Sequence, residues 1–289
     1  MNVTTTSWTT STDAVTKAMA LANQYGVAEA RVRGLLGLAP NAGDNTYRID
    51  ACRLHETLEL LLAEGAPDDL LLRMLLDREA SEFGVLGFAI QTSDTYLAAT
   101  HRLARYLDYW STDFDLVVEE DAETVWLRCR PAAPRRPGLD MLMAATLAGV
   151  LHLGEQLTGK KVVPLSIELS VEPPADPALY RRVFGESVRY GSMHPHLSLA
   201  RVPLLHPLPR ADPHMASFFD RYITEAIAQV PQAARAVSHN AAAAIARLLP
   251  AGEGWAVVEV ARRLGMSSRS LQRRLEEEGT TFSEVLEAV

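Results

Sequence analysis

The sequence V-V-E-V-A-R-R-L-G-M-S-S-R-S-L-Q-R-R-L-E-E-E-G, residues 257–279, decides how the C-terminal part of the chain folds. Its first half carries apolar side chains at the i, i+3, i+4, i+7 spacing of a buried helical stripe. These positions are Val257, Val260, Ala261 and Leu264. Gly265 follows the stripe, where the end of a helix favours a residue that tolerates a positive φ. The stretch therefore predicts two short helices joined by a tight turn, a helix-turn-helix, with the small Ala261 where the helices cross.

The second helix of this motif has one apolar and one polar face. Ser267 or Ser268 is placed to cap it by accepting backbone N–H groups, and Met266 to fill the corner. Leu271 and Leu275 anchor the helix from beneath. The opposite face suits DNA, because arginine pairs bidentately with guanine and glutamine with adenine. The candidate DNA-binding residues are Ser268, Arg269, Gln272 and Arg273.

Charge limits how this motif can bind nucleic acid. Residues 241–289 contain six arginines and seven glutamates, so the module is not basic overall. Within it, residues 261–274 hold a local stripe of basic side chains and no acid. The stripe consists of Arg262, Arg263, Arg269, Arg273 and Arg274. Phosphate attraction would come from one face, and non-specific binding would be weak.

The phrase S-x-R-S-L-Q-R-R-L-E-E-E-G-T-T-F-S-E-V-L, residues 267–286, resembles the first helix-turn-helix of AraC/XylS-type bacterial transcription regulators. Members of that family carry a second helix-turn-helix after a long linker helix. Here we expect the linker helix to begin at about Phe282, while the sequence given stops at Val289. The second helix-turn-helix is thus expected to be lacking, and this chain to bind DNA weakly and mostly through phosphates.

Composition places the chain among globular proteins with a sizeable domain and a smaller one. It has 289 residues, a net charge of -8 and 48% hydrophobic residues. No apolar run approaches the ~20 residues of a membrane span, and the N-terminus lacks the pattern of a signal peptide. Cys52 and Cys129 lie far apart in sequence and form no ligand motif, which fits a reduced cytoplasm. We expect residues 1–13 to form a flexible tail.

The N-terminal third of the chain has helical periodicity. The predicted helices cover 14–25, 27–36, 49–64, 69–76 (capped by Asp68) and 95–110 (capped by Ser93 or Asp94). Between the last two, G-V-L-G-F-A-I (84–90) is small and apolar, and we expect it to pack close to another backbone.

The middle third changes to the period of two that is typical of strands. A hairpin is predicted over 114–118 and 124–130, and a strong helix over 139–157 that ends at Gly159. Further strands are predicted over 162–171, 187–190 and 196–202, with a short helix in P-P-A-D-P-A-L-Y-R-R-V-F-G before Ser187. The predicted fold is thus an α+β N-terminal effector domain followed by an all-α helix-turn-helix module.

The predicted domain boundaries follow from the prolines and the periodicity. Residues 203–213 hold four prolines and are predicted to form the boundary of the N-terminal domain. Asp212-Pro213 is predicted to start the next helix, and its part from Met215 to Val230 would connect the two domains. Pro231 is expected to end that helix, and a further helix is expected over 241–249 to support the helix-turn-helix. The expected division is a tail (1–13), an effector-sensing and dimerisation domain (14–210), a connecting segment (211–235) and a partial AraC-type DNA-binding domain (236–289).

A second resemblance covers most of residues 14–220. G-V-L-G-F-A-I, the following S-x-T-Y-L-A-A helix, P-L-S-I-E-L, P-A-D-P-A-L-Y-R-R-V-F-G and L-L-H-P-L-P-R-A-D-P resemble the N-terminal effector domain of the ornithine- and virulence-regulator branch, an arabinose-binding-like domain. The resemblance implies sensing of a small molecule, such as an amino acid or a fatty-acid-like compound, and formation of a homodimer.

No pattern in the sequence indicates catalysis, so we expect no enzyme, no cofactor and no metal site. Histidines 194, 196, 206 and 214 are separated by prolines and are expected in loops and at a strand edge. His152 is predicted to be a hydrogen-bonded core histidine. Trp110, Trp126 and Met193 are candidates for lining a cavity, although such residues are more often plain core. The sequence therefore identifies no ligand-binding residues.

The function expected from these patterns is a ligand-responsive bacterial transcription regulator that acts in the cytoplasm, with operator DNA and a small effector as partners and no membrane. Two alternatives stay open at this point. The helix pair could be an ordinary hairpin that serves only protein contacts beside a sensor or small-molecule-processing domain. The chain could also act as a truncated antagonist that forms mixed dimers.

Overall fold

The computed structural model describes residues 8–38, 48–228, 237, 240–241, 244–245, 256–264, 266–277 and 280–287. The chain divides into two compact units, an N-terminal unit (Trp8–Val230) and a C-terminal unit that includes Pro231–Val289. The N-terminal unit combines helices with a five-stranded sheet, and the described part of the C-terminal unit is helical. This is the predicted α+β domain followed by a helical module.

The N-terminal unit begins with a short strand, β1 (Thr9–Ser11), which pairs with β2 (Arg48–Asp50) in an antiparallel ladder. Arg48 holds this pair in place: its guanidinium donates to Thr9 O at 2.9 Å and to Tyr109 O at 2.8 Å. Burial lowers the pKa of Arg48 to about 10. The prediction of a flexible tail over residues 1–13 is therefore wrong for residues 8–13, because a strand pair formed across distant sequence and the start of helix α1 fix them.

Most helices of the N-terminal unit follow the predicted periodicity, whereas those over Gly84–Gln91 and Arg201–Leu204 were not predicted, and the latter replaces the end of the strand predicted over 196–202. They are α1 (Thr12–Gln24), α2 (Glu29–Leu36), α3 (Ala51–Ala63), α4 (Leu70–Leu76), α5 (Gly84–Gln91), α6 (Tyr96–Tyr106), α7 (Pro137–Thr158), α8 (Ala178–Phe184), α9 (Arg201–Leu204) and α10 (Pro213–Ala228). Short 3₁₀ turns cover Ala80–Phe83 and Leu107–Tyr109.

At two helices the N-cap residue differs from the one that the sequence predicts. Thr95, rather than Ser93 or Asp94, caps α6 by accepting the Ala98 N–H at 3.1 Å. At α4 the N-cap residue is Asp69, and Asp68 instead accepts the N–H of Ala175. In both cases cap-competent side chains are adjacent in sequence, but only Thr95 makes a capping hydrogen bond, because the Asp69 carboxylate accepts from Arg73 instead.

The start predicted for the third helix also differs. Arg48–Asp50 form β2, so the helix predicted over 49–64 begins at Ala51. Asp50 caps it by accepting the Cys52 N–H at 2.9 Å. Ile49 therefore lies in a strand rather than in a helix, although its apolar character fits either element.

The sheet has the strand order β3-β4-β7-β5-β6, with β3 (Phe114–Glu120) and β4 (Thr124–Pro131) forming the predicted hairpin. The other strands are β5 (Ser166–Glu168), β6 (Val188–Arg189) and β7 (His196–Ala200). All neighbours are antiparallel except β5 and β6. On β4 the side chains of Val125, Leu127 and Cys129 are buried on one face, as predicted.

The strand predicted over 162–171 is much shorter than expected. Only Ser166–Glu168 pair as a strand with β7. Pro164 has no N–H to give to a ladder, and Val163 and Leu165 are more than half exposed, at 61% and 62%. Leu165 still donates its N–H to Ser198 O of β7 at 2.8 Å, so the run meets the sheet only at its end, next to Ser166.

Helix α7 is the central element of the N-terminal unit. It ends at Gly159 with φ at 67°, in the left-handed conformation that the sequence predicts there. Its apolar side chains divide between two hydrophobic clusters: Leu139, Met143 and Leu147 join the larger one with the sheet, and Met141 joins the smaller one with α1–α4. Among the described residues it is the one helix long and apolar enough to cross a membrane, and most of it is buried in this core.

The small, apolar segment 84–90 forms helix α5, and it does pack closely on another backbone. A Cβ added to Gly87 would overlap the carbonyl oxygen of Ala80 in the preceding 3₁₀ turn. The predicted close approach is confirmed, and it needs glycine because no side chain fits between the two segments.

The connecting helix begins at Pro213, directly after Asp212, as the sequence predicts: Asp212 Oδ1 accepts the N–H groups of His214 and Met215 at 3.0 Å. The structure describes this helix to Ala228, so the predicted break at Pro231 lies outside the described residues. In the C-terminal unit the helices are α11 (Val257–Arg263), α12 (Ser268–Glu277) and α13 (Phe282–Glu287). Of the supporting helix predicted over 241–249, the structure describes residues 241, 244 and 245.

Candidate functional site: a helix-turn-helix surface and an apolar cavity

Helices α11 and α12 form the predicted helix-turn-helix around a small hydrophobic cluster. Val260, Ala261, Leu271 and Leu275 are each at most 1% exposed. They pack with other buried side chains of the C-terminal unit. These are Ala241, Ala244, Ile245 and Val285. The buried Ala261 agrees with a close approach of the two helices, since a small side chain leaves little separation between backbones.

The turn between the helices is held by local hydrogen bonds. The Leu264 N–H donates to Val260 O at 3.0 Å, and the Met266 N–H donates to Ala261 O at 3.0 Å. Ser267, one of the two predicted caps, accepts the Ser270 N–H on Oγ at 3.1 Å. Met266 packs against the cluster, as predicted. Gly265, the predicted turn residue, lies outside the described residues.

The polar face of α12 is open to solvent. Arg269, Gln272 and Arg273 are exposed, while Ser268 is half-buried in the first turn. Leu271 and Leu275 are fully buried on the opposite side, so the three long polar side chains have a rigid support. The structure thus brings the candidate DNA-binding residues together on one face, and their contact with DNA stays a prediction.

The basic stripe of the motif is partly neutralised by a carboxylate from helix α11. Glu259 Oε1 lies 2.6 Å from Arg262 Nη2 and 3.4 Å from Arg263 Nε. The hydrogen bonds from Arg262, followed by those from Arg263, hold the pKa of Glu259 below its usual range. Two of the five arginines counted in the sequence therefore share one acid that lies just before the stripe.

A separate feature, in the N-terminal unit, is a cavity of about 150 Å³. It is bounded by β1, α1, α3, α4 and α7, and by the residues around the end of the Leu107–Tyr109 turn. Apolar side chains form most of the wall. These are Ala14, Ala18, Leu21, Leu54, Leu58, Leu71, Met74, Phe83, Leu107, Trp110, Phe114 and Leu142. The remaining lining residues are Thr10, Ser11, Ser111, Thr146, Lys17 and Arg78.

Trp110 is the one cavity candidate from the sequence that lines this space. Trp126 lies half-buried on β4, opposite Ser198, and Met193 is 67% exposed beside Arg135. Lys17 and Arg78 were not predicted, because the cavity is assembled from elements far apart in sequence that share no periodic pattern. The sequence feature that could have indicated them is a basic residue next to a strongly apolar helical stripe.

Three of the histidines lie within hydrogen-bond distance of backbone carbonyls. His196 Nδ1 lies 3.0 Å from His194 O, and His206 Nδ1 lies 3.2 Å from Pro203 O. Among the described residues no group of three or more histidine, cysteine or acidic side chains could hold a metal ion. His152, half-buried on α7, places Nε2 3.0 Å from Arg78 O, which agrees with a hydrogen-bonded core histidine.

The two cysteines are free thiols in different environments. Cys129 is buried in the sheet, and burial raises the pKa of its thiol well above the usual range. Cys52 is half-buried near the start of α3, and burial raises its pKa as well. Neither thiol is activated as a nucleophile.

Comparison with known proteins gives a consistent result. Residues 26–208 match the family model described as the arabinose-binding domain of AraC transcription regulator, N-terminal. The ornithine utilization regulator of Pseudomonas aeruginosa is 25% identical over 277 residues, which cover 93% of this chain and 79% of that protein. An uncharacterized HTH-type transcriptional regulator of Mycobacterium tuberculosis is 24% identical over 92% of this chain and 78% of its own length.

One solved structure also matches along most of the chain. The crystal structure of transcriptional regulator CdpR from Pseudomonas aeruginosa has 18% sequence identity and a TM-score of 0.46, and the match covers 96% of this chain and 82% of that one.

Proposed function

The chain belongs to the AraC family of transcription regulators, through its arabinose-binding domain, and from this membership we propose that it is a ligand-responsive bacterial regulator that binds DNA in the cytoplasm. In this proposal the N-terminal unit senses a small molecule and forms a homodimer, and the helix-turn-helix reads the major groove. The observation that carries it is the exposed face of Arg269, Gln272 and Arg273 over the buried Leu271 and Leu275.

Each side chain on this face has a chemistry that suits a base or a phosphate. Arg269 and Arg273 present the planar fork that pairs with guanine O6 and N7, and Gln272 presents the donor–acceptor pair that matches adenine. Ser268, in the first turn of α12, is placed to contact a phosphate through its hydroxyl, which would fix the register of the helix. The spacing of three and four residues puts all three long side chains on one helical face.

The same electrostatics limits affinity. The chain carries a net charge of -8, and Glu259 holds Arg262 and Arg263 in ion pairs. Few arginines therefore act on phosphates without a nearby acid, and non-specific affinity depends on the number of phosphates neutralised. We expect binding to a random duplex to be weak and to disappear as salt rises.

Self-association is supported by an apolar surface on the N-terminal unit, which we call the α10 surface. It consists of Phe88 on α5 and of Met215, Phe218 and Tyr222 on α10, which are 41% to 51% exposed. The half-buried Phe219 links them, since its ring lies 6.0 Å from that of Phe88 and 5.5 Å from that of Phe218. A contiguous aromatic surface of this kind marks an interaction site on a soluble domain.

Small-molecule sensing is supported by the 150 Å³ cavity. Most of its lining residues fall within residues 26–208, which match the arabinose-binding domain, and side chains from both hydrophobic clusters line it. A ligand bound there would touch several elements at once, so binding would change the stability of the whole unit.

The test is a titration of the full chain against its own promoter region and against a scrambled duplex at physiological salt. We expect the promoter to bind more tightly, and the triple change of Arg269, Gln272 and Arg273 to alanine to remove that preference. Arg221→Ala, which removes an exposed arginine from α10, serves as the control. If the triple variant still preferred the promoter region to the scrambled duplex, the assignment of these three residues to base recognition would be refuted.

A further inference from the structure

The wall of the cavity offers few hydrogen bonds to a ligand. Twelve of its eighteen lining residues are apolar. Three of the four hydroxyl side chains in the wall already donate to backbone carbonyl oxygens, at 3.0 to 3.5 Å: those of Thr10, Ser111 and Thr146. A polyol such as a sugar would leave most of its hydroxyl groups without partners there, and each unpaired buried group costs free energy.

The two basic side chains of the wall already have partners. Arg78 Nε lies 3.9 Å from Glu82 Oε2, Arg78 Nη2 donates to Glu82 O at 2.8 Å, and the guanidinium lies 4.3 Å from the centre of the Phe83 ring. Lys17 has a partner as well. A carboxylate would have to compete with these interactions and an ammonium group would meet like charge, while either would lose its hydration. The wall therefore favours an uncharged ligand.

Two of the lining side chains form an aromatic pair. The ring centroids of Phe83 and Trp110 are 5.2 Å apart, and the two planes are inclined by 46°. Such tilted pairs are stabilised beyond the burial of their area, and a further ring packed against them would gain in the same way. The other apolar lining residues, among them Leu54 and Leu58, are aliphatic or aromatic and suit the same ring.

The size of the cavity limits the ligand further. A 150 Å³ apolar cavity is large enough for a benzene ring and smaller than the pockets that hold drug-sized ligands. A ligand that fills it has roughly six to ten non-hydrogen atoms. A long acyl chain would not fit.

We propose that the cavity binds a compact, uncharged ligand with an apolar body, a single aromatic ring with short substituents. Its ring packs beside Phe83 and Trp110, and the leucines of α3 enclose it. This inference rests on the proposed sensing function and specifies its ligand class. It separates this chain's ligand from a pentose, from an amino acid and from a fatty acid.

The test uses the full chain with four probes. Toluene represents the class, benzoate and benzylamine carry the same ring with a negative or a positive charge at neutral pH, and arabinose represents polyols. Binding is followed by thermal shift and by isothermal titration calorimetry. We expect toluene to bind and to raise the melting temperature with concentration, benzoate and benzylamine to bind at least about tenfold more weakly, and arabinose to give no shift.

Variants that fill the cavity locate the site. Ala14→Leu on α1 and Thr146→Leu on α7 each add apolar volume to the wall, and each should weaken toluene binding at least about tenfold. Two matched controls make the same changes at exposed positions outside the cavity and should leave the affinity unchanged. They are Ala20→Leu, on the same helix as Ala14, and Thr224→Leu, which removes a hydroxyl that bonds to its own helix as that of Thr146 does.

The ligand class would be overturned if the chain bound toluene less than tenfold more tightly than benzoate or benzylamine, if it bound arabinose, or if it bound none of the four probes. Toluene binding that survives in both filling variants would overturn the site. The promoter titration is read separately: a chain that discriminates its promoter yet binds no toluene keeps the proposed regulatory function and loses this inference.

Discussion

Gln272 carries the sharpest prediction about a single side chain. Its amide is exposed on α12 between Arg269 and Arg273, the other two side chains of the proposed base-contacting face. Because a bidentate amide contact to adenine is worth about 1–3 kcal/mol, Gln272→Ala should relax base preference at one operator position by that amount and leave the other positions unchanged. Competition assays with a set of single-base operator variants measure this, with Gln24→Ala on α1 as the control. A uniform loss across all positions would indicate a phosphate contact instead.

The ion pair between Glu59 and Arg136 makes stability depend on pH. Arg136 donates to both carboxylate oxygens, at 2.8 and 2.7 Å, and the Gly138 N–H donates to Oε1 at 3.0 Å. The hydrogen bonds from Arg136 first, and that from Gly138, hold the pKa of Glu59 below its ordinary value of 4.5. A carboxyl with a lowered folded-state pKa stabilises the fold above pH 4.5, and this contribution is lost as the pH falls through the folded-state pKa.

We therefore expect Glu59→Gln to lower the free energy of unfolding at pH 7 by about 1–2 kcal/mol, a range that allows for solvent screening of the pair. The difference from the unaltered chain should shrink as the pH falls below 4.5 and disappear below the folded-state pKa, where the wild-type carboxyl is protonated in the folded and the unfolded state. Urea unfolding at neutral and acidic pH measures both values. A difference that stays constant across this range would show that the charge of Glu59 is irrelevant.

At this level the sequence predicts surface residues better than cavity residues. The exposure of Arg269 and Gln272 follows from spacing within one helix, so local periodicity is sufficient. Lys17 and Arg78 meet the same cavity only because α1 and the end of α4 pack around it, and no local pattern encodes that arrangement. Capping at Thr95 is intermediate, since the residue type is predictable and the exact position depends on packing.

At the level of elements, the crossing of α11 and α12 depends on the size of Ala261. That side chain is 1% exposed among Val260, Leu271 and Leu275. Ala261→Leu should destabilise the C-terminal unit by about 1–3 kcal/mol, because a larger side chain must push the helices apart. Thermal unfolding monitored in the C-terminal unit measures this, with Val258→Leu at a 64% exposed position of the same helix as the control. Melting of the Ala261 variant at the wild-type temperature would contradict a close crossing.

Helix α11 also sets the electrostatics of the side that we propose to contact DNA. Glu259 pairs with Arg262 and Arg263, so its replacement removes one negative charge beside two arginines, a charge that would repel phosphate. Glu259→Gln should raise affinity for a random duplex several-fold and steepen its dependence on salt. Glu225→Gln, the same change on α10, should do neither. If both variants behaved like the wild type, the DNA would not approach this part of α11.

The long or locally paired elements are predictable, and the short non-local ones are not. Helix α7 and the β3–β4 hairpin follow from periodicity and turn residues over many positions. Strands β1 and β2 have three residues each and pair across a long stretch of sequence, so no window of residues indicates them. Strand β5 is overpredicted because the apolar run before it contains Val163 and Leu165, which stay exposed outside the paired residues.

For the molecule as a whole, the α10 surface predicts how two copies associate. Phe218 is 51% exposed at its centre, and burial of such aromatic surface drives association. Phe218→Glu should convert a dimer to a monomer in sedimentation experiments. It should also weaken promoter binding, because two linked helix-turn-helix motifs bind one duplex more tightly than one motif does. Val163→Glu, at another exposed apolar position of the same unit, should leave the mass unchanged. A Phe218→Glu protein that remains dimeric would place the interface elsewhere.

The cavity lies where two hydrophobic clusters meet, and this position decides how a ligand could act at a distance. Ala18, Leu21 and Leu58 belong to one cluster and Leu107 and Phe114 to the other, with empty space between them. We expect a void at the boundary between the two clusters to lower the cooperativity between them, so that the layer built from α1 and its neighbours opens at a lower free energy than the sheet. A ligand that fills the cavity would link the two hydrophobic clusters into one cooperative folding unit. Ligand binding would then change how long a local opening lasts, which amide hydrogen exchange measures, while the average structure stays the same.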